Sequence, residues 1–94
     1  MDIFEVVITK KAKDNLVKVP WHIVKKLQGW IDQVSDSGLR ETKKIPGYHD
    51  EPLKGKRTGE RSIRLSKAYR AIYSIAQDGS IEIVKILEVN KHDY

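Results

Sequence analysis

The sequence predicts an α+β domain in which an N-terminal strand and two helices are followed by an antiparallel meander of three strands. Three observations carry that prediction. The chain opens on a β-branched run, a stripe of apolar residues recurs at three- and four-residue steps between Ile23 and Val34, and three strand-like runs follow Glu60, the last two joined by a turn signal. With 94 residues the chain is read as one domain, 1–94, because a second core would bury too little apolar surface to offset its chain entropy.

Each element has a local cause. "IFEVVITK" is rich in β-branched residues, so Ile3 to Ile8 reads as a strand. Thr9 can cap a short helix on which Ala12 and Leu16 lie one turn apart, with Val19 about another turn on. Pro20, a favoured first helical residue, opens a second helix whose Ile23, Val24, Leu27, Trp30, Ile31 and Val34 form one face until Gly38. Trp30, at helical spacing among aliphatics, is read as core rather than as a ligand-stacking residue. The segment "LRETKKIPGYHDEPLKGKRTGE" holds two prolines and three glycines and lacks periodicity, so it reads as a loop after one short helical turn. Loops of this length are uncommon in compact domains and often functional. "RSIRLS", "YRAIYSIA" and "SIEIVKILEV" then read as strands, with Gln77, Asp78 and Gly79 as the last turn.

Charge narrows the function. Eighteen Lys and Arg against thirteen Asp and Glu give a net charge of +5, which points to a polyanion, an acidic protein, or both. Scattered lysines such as Lys10, Lys11, Lys13, Lys25 and Lys26 read as a solvated surface. The stretch "GYHDEPLKGKRTGERSIRLSKAYR", residues 47–70, is different, because it concentrates Lys54, Lys56, Arg57, Arg61, Arg64, Lys67 and Arg70 on and beside predicted strands. No apolar run approaches the roughly 20 residues that span a bilayer, and the N-terminus lacks a secretory pattern, so no membrane is expected and the cytoplasm is. The absence of cysteine excludes disulfides and thiolate chemistry. His22, His49 and His92 form no i, i+4 pair, and no metal or cofactor is expected.

Strand alternation gives the basic stretch a geometry. Ser62, Arg64 and Ser66 project opposite to Ile63 and Leu65, so Arg64 leaves the core. A tight turn at Ser66 to Ala68 would bring Arg70 of the next strand beside it. Two guanidiniums on one sheet face repel each other unless an anion lies between them or each pairs with a carboxylate, for which Asp78, Glu82 and Glu88 are the candidates.

The run "EPLKGKRTGERSIRLSKAYRAIYSI" and the ending "EVNKHDY" resemble the RelE/ParE superfamily of bacterial toxins, most of all the ribosome-dependent mRNA interferases of the RelE, YoeB and HigB kind. The resemblance covers the chain and implies a RelE-like toxin fold, endoribonuclease activity on mRNA at the ribosome, and a cognate antitoxin protein as partner. Carried over by position, Glu51 before "PLKG" matches a general base, Arg64 an arginine that steadies the scissile phosphate, and Arg70 the phosphate-contacting arginine of the "YR" pair. His92 and Tyr94 match a C-terminal general acid and a base-stacking or orienting group. Here Asp93 separates those two, which departs from the YoeB pattern and leaves Tyr94 the loosest match.

The chemistry is consistent with the residue types. RNA carries its own nucleophile, so cleavage needs a base for the 2′-hydroxyl, cations for the phosphorane and an acid for the leaving 5′ oxygen. Glu51, the Arg64–Arg70 pair and His92 supply them; His49, two residues before Glu51, is a rival base. Lys54, Lys56, Arg57, Arg61 and Lys91 read as an electrostatic footprint for RNA. Two other readings stay open: a non-enzymatic gyrase inhibitor of the ParE kind, and an RNA- or protein-binding module without catalysis.

Overall fold

The structure is a computed structural model that describes residues 2–91. Strand β1 (Val6–Ile8) leads into helix α1 (Lys10–Val17), helix α2 (Trp21–Ser37) and a one-turn helix α3 (Leu39–Thr42). After 3-10 turns at Pro46–Tyr48 and Gly55–Arg57, flanking a two-residue strand β2 (Glu51–Pro52), come β3 (Arg61–Arg64), β4 (Tyr69–Asp78) and β5 (Ile81–Lys91). The five strands form one mixed sheet in the order β1-β5-β4-β3-β2. The fold is therefore α+β as expected, with the meander at its centre. The N-terminal strand lies parallel to β5, and the other neighbours are antiparallel.

Local chemistry explains where the elements start. Thr9 caps α1 by accepting the Ala12 amide at 3.1 Å and also donates to the Leu87 carbonyl, while Asn15 accepts the Val89 amide. Beyond Ile8, helix α1 thus takes over the edge of β5 that β1 leaves open, satisfying backbone groups that would otherwise be exposed. β1 is shorter than the predicted Ile3 to Ile8 because residues before it brace α3: the Ile3 carbonyl accepts the Leu39 amide at 2.8 Å, and the Asp2 carboxylate accepts the Arg40 amide. That approach needs glycine at position 38, where φ is +89° and a Cβ would stand 2.2 Å from Asp2 Oδ2.

The stripe on α2 is buried at Ile23, Leu27, Trp30 and Val34, and it packs in one cluster with Ile63, Ala71, Tyr73, Val84, Ile86 and Val89 of the sheet. Trp30 is fully buried, its ring 5.0 Å from that of Tyr73 at a tilt of 46°.

The β4–β5 hairpin closes on Gly79 and Ser80, since Asp78 pairs with Ile81. The turn is one residue later than expected, because Gly79 (φ +63°) supplies the positive φ that a two-residue hairpin loop requires at its first position. A bulge at Leu87 interrupts the pairing: Tyr73 faces Ile86 whereas Ile72 faces Glu88. The extra residue flips the alternation of β5, so Val89 stays on the core face while Glu88 and Asn90 join Arg70 on the other. Among the described residues, no helix is long and apolar enough to cross a membrane.

Candidate active site

On the sheet face away from α2, an open cleft of about 90 Å³ is lined by His49, Glu51, Ser62, Arg64, Lys67 and Arg70, among others. Three of the predicted catalytic residues, Glu51, Arg64 and Arg70, thus meet in one place, with the rival base His49 beside them. Two devices bring them together. The Ser66 hydroxyl oxygen accepts the amides of Ala68 and Tyr69 at 3.1 Å each, a serine turn that folds β4 back on β3. The resulting register sets Arg64 directly opposite Arg70. On the other side, β2 pairs Glu51 with Ser62. That stretch was expected to be loop; its proline is tolerated because β2 is the edge strand.

The two arginines are held differently. The Arg70 Nε donates to Asn90 Oδ1 at 3.2 Å, and the Asn90 amide donates to Glu88 at 2.8 Å. Arg64 is exposed and has no hydrogen bond or ion pair among the described residues. Glu88, offered above as a carboxylate for either arginine, instead pairs with Arg57 and, at 3.8 Å, with Lys11. Among the described residues, Arg64 and Arg70 are therefore like charges placed opposite each other with no carboxylate paired to either, an arrangement that favours an anion in the gap.

The other predicted cations divide. Lys54, just before the second 3-10 turn, and Lys56, within it, are exposed and lie outside the cleft lining. Arg57 is engaged by Glu60 and Glu88, and Arg61 by Asp50. Lys91 lies opposite Tyr69, out of alternation with Arg70. His92 and Tyr94 lie outside the described residues. The sequence reading missed Asn90, whose side chain steadies Arg70, and Asp50, whose carboxylate binds Arg61 and Tyr73. Asn90 was within reach of the alternation rule, had the bulge been known. Among the described residues no three His, Asp or Glu side chains gather as metal ligands.

The Glu88 network has a pH signature. Burial pushes the Glu88 carboxyl up, but hydrogen bonds from Arg57 and Asn90 and the nearby positive charges outweigh that and hold it below its ordinary value of 4.5. A carboxyl lowered by folding contributes stability that is present above pH 4.5 and is lost as the pH falls through the lower folded value. Glu88→Gln is expected to be less stable than the native protein near neutrality, with the difference shrinking on acidification below that value. Urea midpoints from pH 7 to 3 would show it; a difference independent of pH would refute it.

No protein-family model and no curated protein matches the sequence. Solved structures do match in fold. The YoeB/ParE toxin from Agrobacterium tumefaciens superposes with a TM-score of 0.66 at 23% identity, over 95% of this chain and 99% of that one. The RelBE toxin–antitoxin complex from Mycobacterium tuberculosis gives 0.67 at 24%, over 96% and 99%. The archaeal RelE–RelB complex from Pyrococcus horikoshii gives 0.69 at 22%, over 97% and 96%. The chain has the fold of these toxins along almost its whole length.

Proposed function

We propose that the protein is the toxin of a toxin–antitoxin pair and an endoribonuclease that cleaves mRNA on the translating ribosome, in the cytoplasm. The observation that carries this is the cleft in which Arg64, free of any internal partner among the described residues, faces Arg70 with Glu51 and His49 alongside. In the reaction, Glu51 or His49 takes the proton of the 2′-hydroxyl as its oxygen bonds to phosphorus. Arg64 and Arg70 stabilise the charge that builds on the phosphoryl oxygens, and the bond to the 5′ oxygen breaks as His92 delivers a proton to it. The products are a 2′,3′-cyclic phosphate and a 5′-hydroxyl. Tyr94 would stack on or orient a base near the cut.

Lys54, Lys56 and Lys91 would steer the RNA and make its binding fall with salt. Arg57 and Arg61 are spent on internal carboxylates and would contribute less. Structural neighbours described as complexes with RelB support an antitoxin as partner, and an acidic segment laid over the two arginines would neutralise the site.

The test is primer extension on an mRNA translated in a cell-free system with added protein. New 5′ ends that appear only with ongoing translation are the expected result. A folded protein that produces no cuts overturns it, and inhibition of gyrase supercoiling by that same protein would assign the non-enzymatic function instead.

A further inference from the structure

Between the two candidate bases stands a residue with no part in that chemistry. Asp50 follows His49 and precedes Glu51, both exposed, yet its own side chain is 0% exposed. Aspartate is seldom fully buried unless it is paired, and here both oxygens are occupied. Oδ1 accepts from Arg61 Nε at 2.7 Å and Oδ2 from the Tyr73 hydroxyl at 2.6 Å. Arg61 lies on β3 three residues before Arg64, Tyr73 on β4 three residues after Arg70, and the register sets Arg61 opposite Tyr73 as it sets Arg64 opposite Arg70. One carboxylate thus ties the loop to the same two strands that carry the arginines.

The loop needs such a tie. His49 is the one described non-glycine residue at positive φ, at 47°, a left-handed conformation that persists when its surroundings over-determine it. Successive Cα atoms are about 3.8 Å apart, so fixing Asp50 confines both of its neighbours. The second strand of support is Tyr73, whose ring is wedged on the buried Trp30.

Building on the ribonuclease reading, we propose that Asp50 is a positioning residue: held by Arg61 and Tyr73, it sets His49 and Glu51 over the Arg64–Arg70 pair. Misplacement of a reacting group by about 1 Å can cost 100-fold in rate, so a short tether to the phosphate-binding strands is a direct way to fix the base.

Two variants test it. Asp50→Asn keeps the shape but replaces one acceptor oxygen by a donor, and Tyr73→Phe keeps the ring and removes one of the two bonds. Val34→Ala, in α2, serves as a control that weakens the core without touching the tether. In Asp50→Asn, kcat for cleavage should fall by at least about tenfold while KM stays within about twofold, because Arg64 and Arg70 are untouched; Tyr73→Phe should show the same split to a smaller degree. A merely structural role would lower cleavage in all three variants only in proportion to the unfolded fraction, and that result overturns the proposal. A second readout is independent of catalysis. The amides of His49 and Glu51 should be ordered in ¹⁵N relaxation of the native protein and mobile in Asp50→Asn. Unchanged order in the variant also overturns the proposal. A native protein that cuts no RNA would refute the ribonuclease, while the relaxation data would still decide whether Asp50 holds the loop.

Discussion

Trp30→Ala is expected to destabilise the protein by about 3–5 kcal/mol, the range for removing a large buried aromatic. A 94-residue domain has about 5–14 kcal/mol of stability, by the scale of roughly 0.05–0.15 kcal/mol per residue, so the variant would lose a large share of it. Trp30 is fully buried at the middle of the α2 stripe, and its ring rests on Tyr73, a tilted aromatic contact that adds about 0.5–1.5 kcal/mol to the burial itself. The cavity would open directly beneath the residue whose hydroxyl holds Asp50. Trp30→Phe separates the contributions. The indole N–H is buried without a hydrogen-bond partner among the described residues, and leaving a donor unmet costs about 1–3 kcal/mol. Phenylalanine removes that penalty while creating a smaller void, so its net effect should be far below that of alanine. Urea unfolding followed by circular dichroism measures both. A loss below about 1 kcal/mol for Trp30→Ala would show that the site collapses around the gap and that the core is not built on this ring.

What could be read from the sequence was what depends on short-range pattern. The α2 stripe, the Thr9 cap and the outward direction of Arg64 follow from periods of 3.6 and 2 and from a side chain three residues away. The proximity of Arg64 and Arg70 followed from the turn between them. What stayed hidden was non-local. β2 is two residues long, too short for any period, and exists because β3 offers it an edge. The parallel pairing of Val6 with Val84 joins elements from opposite halves of the chain, and the bulge at Leu87 reverses which side chains of β5 share the sheet face of Arg70. Nothing local marks Asp50, since its partners lie 11 and 23 residues away. The candidate site was thus legible in its cations and not in the tether beneath His49 and Glu51.

Arg64→Ala is expected to lower RNA cleavage on the order of 100-fold, the usual loss when one group stabilising transition-state charge is removed, while making the folded protein slightly more stable. The two effects have the same cause. In the free protein Arg64 faces Arg70 across the β3–β4 pair, and like charges directly opposite each other destabilise a sheet; removing one relieves the other. That gain should fade as salt screens the pair. Arg70→Ala should differ, because Arg70 is bonded to Asn90 and its loss leaves that amide and the Glu88 network short of a partner. Arg64→Lys keeps the charge but not the planar fork that matches a phosphate, so it should recover part of the RNA binding and none of the stability. Thermal melts at low and high salt, run beside cleavage assays of the three variants, distinguish the cases. Arg64→Ala that still cleaves at the native rate would move the phosphate site elsewhere. If it instead melts lower in every salt, Arg64 supports the fold, and the charge it places in the cleft is not held in reserve for an anion.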